Sequence, residues 1–374
     1  MTQPGASSIK RKVLFLTPED PRVGSGGGGL RSASMLAYLQ DKYDVQTVTF
    51  SLRAHSRSIG ARVWRNSVRL AQGRPPLFDR FSGYENQIAA LLEGRYAIGV
   101  VEHFWCAAYA PLLRNWCDRL VLDLHNIESE LARTHARAAR WPGSWASQRF
   151  AKCYQQLELQ WLPRFDTILT ASDDDGRRVK HPDVRVFPNA LPEIVRPSKA
   201  EADAIVFSGN LEYHPNVEAI RWFRTRIWPQ VRERAAGLEW RLAGSNPEAV
   251  AHLTAGDPRI RVLGPVDDAV AHLAEAKVCL APLLSGSGTR FKILEAWAAG
   301  RAVVSTTLGA EGLGAQDGEH ILLADDPEDF AAAILRLLND SSLRARLGEA
   351  GWNLYRERFT WPAAWRQLEE QGGI

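Results

Sequence analysis

Val278 to Leu284 is a short apolar run that ends in Gly286-Ser287-Gly288 and passes at once into a helical pattern. That order describes a buried strand, a loop of bare backbone and a helix N-terminus, whose free N–H groups suit a phosphate or another anion. Gly286 and Gly288 allow a ligand to approach the backbone, and Ser287 or Thr289 can cap the helix. Arg290 and Lys292 place positive charge in the first turn. Glu295 stands three residues after Lys292, on the same helix face. A diphosphate is held by backbone N–H groups with Arg or Lys, and a sugar hydroxyl by a carboxylate; one helical turn here supplies all three. The plainer alternative is a surface Lys–Glu pair, worth a few tenths of a kcal/mol. The preceding glycines favour the ligand.

The same order occurs at the start of the chain. Strand-like Lys12 to Thr17 leads into Gly24 to Gly29, and a helix pattern runs from Leu30 to Leu39. This opens a doubly wound α/β domain. It is not a dinucleotide fingerprint, because the next strand, Val45 to Phe50, ends without an acidic residue. Further strands are predicted at Ala97–Val101, Leu120–Leu124, Thr167–Thr170 and Val184–Phe187, and a long helix from Trp145 to Leu162. His125 falls just past a strand's C-terminal end, and Asn126 is placed to cap the next helix. Prolines and the polar run SKAEAD mark a linker at about residues 190–202.

The alternation then restarts. Strand Ala204–Phe207 meets Gly209, and a helix follows with Pro215 in its first turn and an apolar face of Val217, Ile220, Phe223, Ile227 and Val231. Strands are predicted at Trp240–Ala243, Ile260–Leu263, Val278–Leu280, Ala302–Ser305 and His320–Leu323, with helices closing the chain. At 374 residues two domains are expected.

No run of 18 apolar residues exists, and the first twelve residues lack a secretory pattern. The four cysteines have no CxxC spacing, which fits a reduced, cytoplasmic setting. Asp173-Asp174-Asp175 reads as a helix N-terminus rather than a metal site, and His103 as a packing residue or part of an acceptor site. Residues 1–200 carry 28 Lys and Arg against 19 Asp and Glu, and the remainder 18 against 24. The basic half could face an anionic partner, or the asymmetry could be solvated surface. Within it, Ser51–Arg80 holds seven arginines with Val63, Trp64, Val68 and Leu70. That spacing allows a basic amphipathic helix of the membrane-surface type, or simply a solvated excursion.

GSGTRFKILEAWAAGRAVVSTTLGAEGL resembles the donor-site signature of the family 4 retaining glycosyltransferases, which have the GT-B fold. FSGNLEYHPN (207–216), VFPNALP (186–192), LDLHNIESEL (122–131) and DGEHILLADDPEDFAAAILRLL (317–338) extend the resemblance, which is nearest to the bacterial exopolysaccharide sugar transferases. It implies two Rossmann-like domains facing across a cleft. Residues 1–190 would form the acceptor domain and 203–355 the nucleotide-sugar donor domain, with 356–374 a helix that could return to the first. It also implies metal-independent transfer with retention and no cofactor. The donor would be a UDP or GDP sugar and the acceptor a glycan or a lipid-linked sugar. Contact with an anionic membrane is allowed for, and nucleic acid is not a partner.

By the same resemblance Glu295 contacts the nucleotide ribose, Arg290 and Lys292 face the diphosphate, and His125 lies near the donor sugar. Gly209, Asn210, Gly286, Ser287, Gly288, Thr289 and Glu311 belong to the donor site, where Gly209 and Asn210 could donate backbone contacts to the phosphates. Gly26, Gly27, Gly28 and Gly29 form a loop toward acceptor or phosphate. The family's E-x7-E pair is broken, because its first position is Ser287. The Arg…Lys pair expected after the first strand of the second half is replaced by Glu212, Tyr213 and His214. A sugar-nucleotide epimerase and a non-catalytic nucleotide-binding subunit remain the alternatives.

Overall fold

A computed structural model of the chain describes residues 10–18, 20–21, 26–52, 58–138, 141–286 and 290–374. They divide into two compact units, Met1–Phe187 with Leu368–Ile374, and Pro188–Gln367.

The first unit is built on six strands: β1 (Lys12–Leu16), β2 (Asp44–Val48), β3 (Tyr96–Glu102), β4 (Cys117–Asp123), β5 (Thr167–Thr170) and β6 (Val184–Val186). They lie in the order β2-β1-β3-β4-β5-β6, and every neighbouring pair is parallel. Such a sheet is covered on both faces, which is why β1, β3 and β5 read as apolar runs rather than alternating ones. The main helices are α1 (Gly26–Lys42), α2 (Ile59–Gln72), α3 (Glu128–Ala138) and α4 (Gly143–Trp161). The chain leaves β1 for β2 on one side and returns to β3 on the other. The C-terminal ends of β1 and β3 are thus the switch point where open α/β sheets take ligands.

One local difference from the sequence reading falls there. Gly26 to Gly29 are the first turn of α1, not a loop before it; Gly24 and Ser25 lie outside the described residues. The first N–H groups of a helix lack intrahelical partners in any case, so glycines there keep the helix mouth bare without breaking it.

The second unit has β7 (Ala204–Ser208), β8 (Glu239–Ala243), β9 (Ile260–Gly264), β10 (Val278–Ala281), β11 (Ala302–Ser305) and β12 (Leu322–Leu323). Their order is β12-β11-β10-β7-β8-β9, again all parallel. The chain walks outward from β7 to β9 and restarts beside β7 at β10, so the ends of β7 and β10 form this sheet's switch point. Helices α5 (His214–Trp222), α6 (Phe291–Ala298), α7 (Pro327–Asn339) and α8 (Ser341–Arg358) belong to this unit, and α9 (Trp361–Glu370) runs from it into the terminal segment of the first. The predicted strand from His320 shrinks to Leu322–Leu323, because β12 is an edge with only β11 to pair with.

After α5 the backbone widens into a π turn, Phe223–Ile227, before resuming as Trp228–Arg234. Pro229 has no N–H to give the preceding turn, and the wider turn accommodates that loss. The apolar face survives the shift, with Ile220, Phe223, Ile227 and Val231 all fully buried. The terminal segment Leu368–Ile374 is fixed to the first unit by polar contacts. Glu369 accepts from Lys42 and Tyr38, and Arg185 donates to the Gly373 carbonyl at 2.7 Å.

Candidate functional site

In the second unit the site is built where β7 ends. Gly209 follows Ser208 with φ +138°, and Gly244 follows β8 with φ +150°. Both values lie where side chains are disfavoured. A Cβ on Gly244 would stand 1.7 Å from the Gly209 carbonyl oxygen, so the two strand ends approach with no room for a side chain. Helix α6 brings two polar groups to this junction. Lys292 donates to Asn216 Oδ1 at 2.9 Å, with its Nζ 4.9 Å from the centre of the Phe207 ring. One turn on, Glu295 accepts from Ser208 Oγ at 3.4 Å. A cavity of about 180 Å³ opens here, lined by Ser208, Gly209, Gly244, Pro265, His272 and Glu295 among others.

The electrostatics follow from enclosure. Burial, with Arg290 nearby, lowers Lys292 to about 8, and Glu295 partly opposes that. Burial likewise raises Glu295, with Lys292 and Ser208 pulling it back. Glu295 thus lines the cavity while Lys292 Nζ lies beside the bare Gly209 backbone, 3.6 Å from where a Cβ would stand, an arrangement able to hold a diphosphate and a hydroxylated ring.

Arg290 sits at the mouth of α6, buried, donating to the Gly286 carbonyl at 3.0 Å and to Leu308 O at 3.4 Å. Gly286, at φ +110°, leaves space for that guanidinium. Glu311 follows the turn whose Leu308 carbonyl Arg290 reaches. Ser287, Gly288 and Thr289 lie outside the described residues. One expectation is corrected. Gly209 cannot offer its N–H to a phosphate, because that group already donates to Ala243 O at 3.0 Å, extending the β7–β8 ladder. What Gly209 supplies is the missing side chain. Asn210 is turned to local work, its side chain accepting from Glu212 N and Asn246 Nδ2.

In the first unit His125 follows β4 and is buried. Its Nε2 lies 3.6 Å from Glu102 Oε1 and 3.6 Å from Asp123 Oδ2. Its ring meets His103, whose own ring stacks on Trp105 at 4.3 Å between centroids. His103 holds a positive φ of 65°, unusual for a residue with a side chain. Gly28 reaches this cluster: a Cβ on it would lie 3.6 Å from His125 Nδ1. The glycine run and the histidine, far apart in sequence, meet at the switch point.

Arg31 underlies the cluster, donating to both oxygens of Asp123 at 2.8 and 2.5 Å and to the Phe187 carbonyl at 2.6 Å. Burial would raise Asp123, but Arg31 wins and holds it below the usual carboxylate range. Burial raises Glu102 to about 7 and lowers His125 to about 4, so the imidazole is neutral at pH 7. Glu102, Asp123 and His125 place ligand atoms within 4.8 Å of one another, as a metal site would. The Arg31 guanidinium on both Asp123 oxygens works against a cation there, and a neutralised ion-pair network describes the cluster better.

Arg31, Gly244 and the pocket-lining His272 are the residues the sequence reading passed over. Arg31 left one signal, as the first charge after the glycine run in a helix otherwise ready to be buried. AGSNP after β8 repeats the strand–glycine turn of FSGNL after β7.

The architecture is GT-B, two parallel six-stranded Rossmann-like sheets. Residues 202–340 match the family described as Glycosyl transferases group 1. The chain is 35% identical over 123 residues, 31% of its length, to 32% of a phosphatidyl-myo-inositol mannosyltransferase of Mycolicibacterium smegmatis. It spans less than half the length of the curated relatives it matches. Solved structures agree over nearly the whole fold. A sucrose-phosphate synthase from Thermosynechococcus elongatus superposes with TM-score 0.69 at 17% identity, over 96% of this chain and 98% of that one. HepE of Anabaena, solved with UDP and glucose, superposes with TM-score 0.65 at 14% identity over the same shares.

Proposed function

We propose that the protein is a metal-independent, family 4 type glycosyltransferase. It would move a sugar, with retention, from a nucleotide-diphosphate donor to a glycan or lipid-linked acceptor in polysaccharide biosynthesis. It would work in the cytoplasm, in contact with an anionic membrane face. The observation that carries this is the pairing of Lys292 and Glu295 on α6 over the bare Gly209–Gly244 junction. The group 1 match over residues 202–340 and the UDP in the related HepE structure support it.

In this reading the bond from the anomeric carbon to the diphosphate oxygen breaks with its electron pair leaving on the diphosphate. Lys292, Arg290 and the mouth of α6 stabilise that charge. The acceptor oxygen bonds to the same face of the oxocarbenium-like carbon, and its proton passes to the departing phosphate. Neutral His125 hydrogen-bonds a donor-sugar hydroxyl. Glu295 accepts from the nucleotide's ribose.

A thermal-shift screen with UDP, GDP and ADP should select one base, and transfer is then assayed with its sugar. Glu295→Ala is expected to lower kcat/KM by about 10- to 100-fold, the worth of a charged hydrogen bond. A variant as fast as wild type would remove Glu295 from the site. Nucleoside diphosphate affinity should also fall as pH rises through about 8, where Lys292 loses its proton in the free protein. Titration calorimetry across pH 7–9.5 (about the span of that ionisation) reads it, and Lys292→Met should flatten the profile.

A further inference from the structure

Where the second unit needs a positive φ at a strand end, the chain places glycine, as at Gly209 after β7 and Gly244 after β8. After β3 it places His103, at φ 65° and ψ 138°. Among the described residues the other side chain at positive φ is Asn246, and its ψ of 53° puts it in the left-handed region that asparagine tolerates. His103 lies outside that region, in backbone space that glycine alone enters freely. Both of its backbone groups are tied there. Its N–H donates to the Asp123 carbonyl at 3.0 Å, and its own carbonyl accepts from Cys106 N at 3.0 Å.

The side chain does not offset this strain by local bonding. His103 stands at the N-cap of the 3₁₀ helix Phe104–Tyr109, yet makes no cap hydrogen bond. Its imidazole has no hydrogen-bond partner among the described residues and is half-buried at the switch point. Its surroundings hold the ring in place. Trp105 stacks on it with the planes 4° apart, stacks also on Phe81 at 5.0 Å, and donates its indole N–H to buried Glu128 at 2.9 Å. On another side is His125, with 3.8 Å between ring centres. Burial, with His125 beside it, lowers His103 to about 3 against the pull of Glu102 and Asp123, so the imidazole is neutral at pH 7. A neutral imidazole offers one donor and one acceptor nitrogen, the pair that a hydroxyl satisfies.

We infer that His103 is an acceptor-binding residue, its imidazole hydrogen-bonded to a hydroxyl of a sugar acceptor beside the donor sugar at His125. An amine or a carboxylate in that place would call for a charged partner, so the acceptor group is a hydroxyl. So poor a base holds the hydroxyl without taking its proton, which still passes to the departing phosphate. Backbone strain of this kind persists where a function needs the side chain that bears it. The inference rests on the glycosyltransferase reading above, which supplies the donor.

The test uses the full chain, the donor selected by the thermal-shift screen, and octyl glucoside, octyl galactoside or octyl mannoside as acceptor. His103→Gly should raise the acceptor KM by about 3- to 10-fold, the worth of a neutral hydrogen bond. Nucleotide affinity by titration calorimetry should not change. The variant should unfold no lower than wild type, because glycine releases the backbone as the ring contacts are lost. His103→Ala should raise the KM equally but unfold at least about 2 °C below His103→Gly, since it keeps the strain. An unchanged acceptor KM overturns the proposal. So does a His103→Gly protein that unfolds well below wild type and binds nucleotide more weakly, which would make the histidine a packing residue. A wild type that hydrolyses its donor but glycosylates none of the three acceptors overturns this proposal alone. A wild type that binds no nucleotide refutes the donor site first, and this inference falls with it.

Discussion

Replacing Arg31 by methionine is expected to destabilise the first unit by about 3–5 kcal/mol at neutral pH, read from urea unfolding. Both Arg31 and Asp123 are fully buried. Removing the guanidinium strands a carboxylate away from water and removes the hydrogen bond that Arg31 donates to the Phe187 carbonyl. The pH dependence carries the signature. In wild type the folded Asp123 is held below its unfolded value, so its contribution is present above about pH 4 and is lost as pH falls through the folded value. In the variant burial, the largest influence on the carboxyl, is opposed only by His125 and His103 and raises it, so stability should recover as pH drops and the group becomes neutral. Arg31→Met/Asp123→Asn should regain most of the loss at pH 7. A single variant as stable as wild type would mean that water reaches the pair.

Gly244→Ala should be the most damaging small substitution in the second unit. Its methyl group would lie 1.7 Å from the Gly209 carbonyl oxygen, and backbone on both sides leaves nothing flexible to give way. A cost of at least about 3 kcal/mol is expected. Displacement of the β7–β8 ends by about 1 Å should cut nucleotide affinity or turnover on the order of a hundredfold. Gly256→Ala is the control. Its φ is +81° and nothing lies within 4 Å of the added carbon, so it reports the left-handed backbone cost alone, about 1–2 kcal/mol. Equal effects of the two substitutions would show that the strand ends separate freely.

The two substitutions also separate what could be read from the chain. The strand–glycine–helix order around Gly286 and Arg290 was plain, because a buried parallel strand, a bare turn and a helix mouth each leave a local pattern in residue type. Lys292 and Glu295 were equally visible, since helical spacing alone puts them on one face. The Gly209–Gly244 contact was not. Each glycine marks a turn, but only the pairing of β7 with β8 places one against the other. Gly209 shows the same limit from the other side: its N–H looked free for a phosphate until the ladder supplied Ala243 as its acceptor.

In the first unit His125 was legible as a residue beyond a strand end, and Gly26–Gly29 as bare backbone. Their meeting was decided by the β2-β1-β3-β4 order, which sets the mouth of α1 near the end of β4. Arg31 was hidden for a related reason. Its partners Asp123 and Phe187 are 92 and 156 residues away, and a lone arginine in a helix is ordinarily a surface residue. Likewise the basic stretch around Trp64 could be read, but not that Trp64, Trp141 and Trp145 are left exposed. By itself the sequence determined the elements, their parallel α/β arrangement and the charged turn of α6, because those depend on residue type and short-range spacing. Tertiary structure decided which strand ends meet, which charges are buried and which tryptophans are left outside, because those depend on strand order and on the exclusion of water.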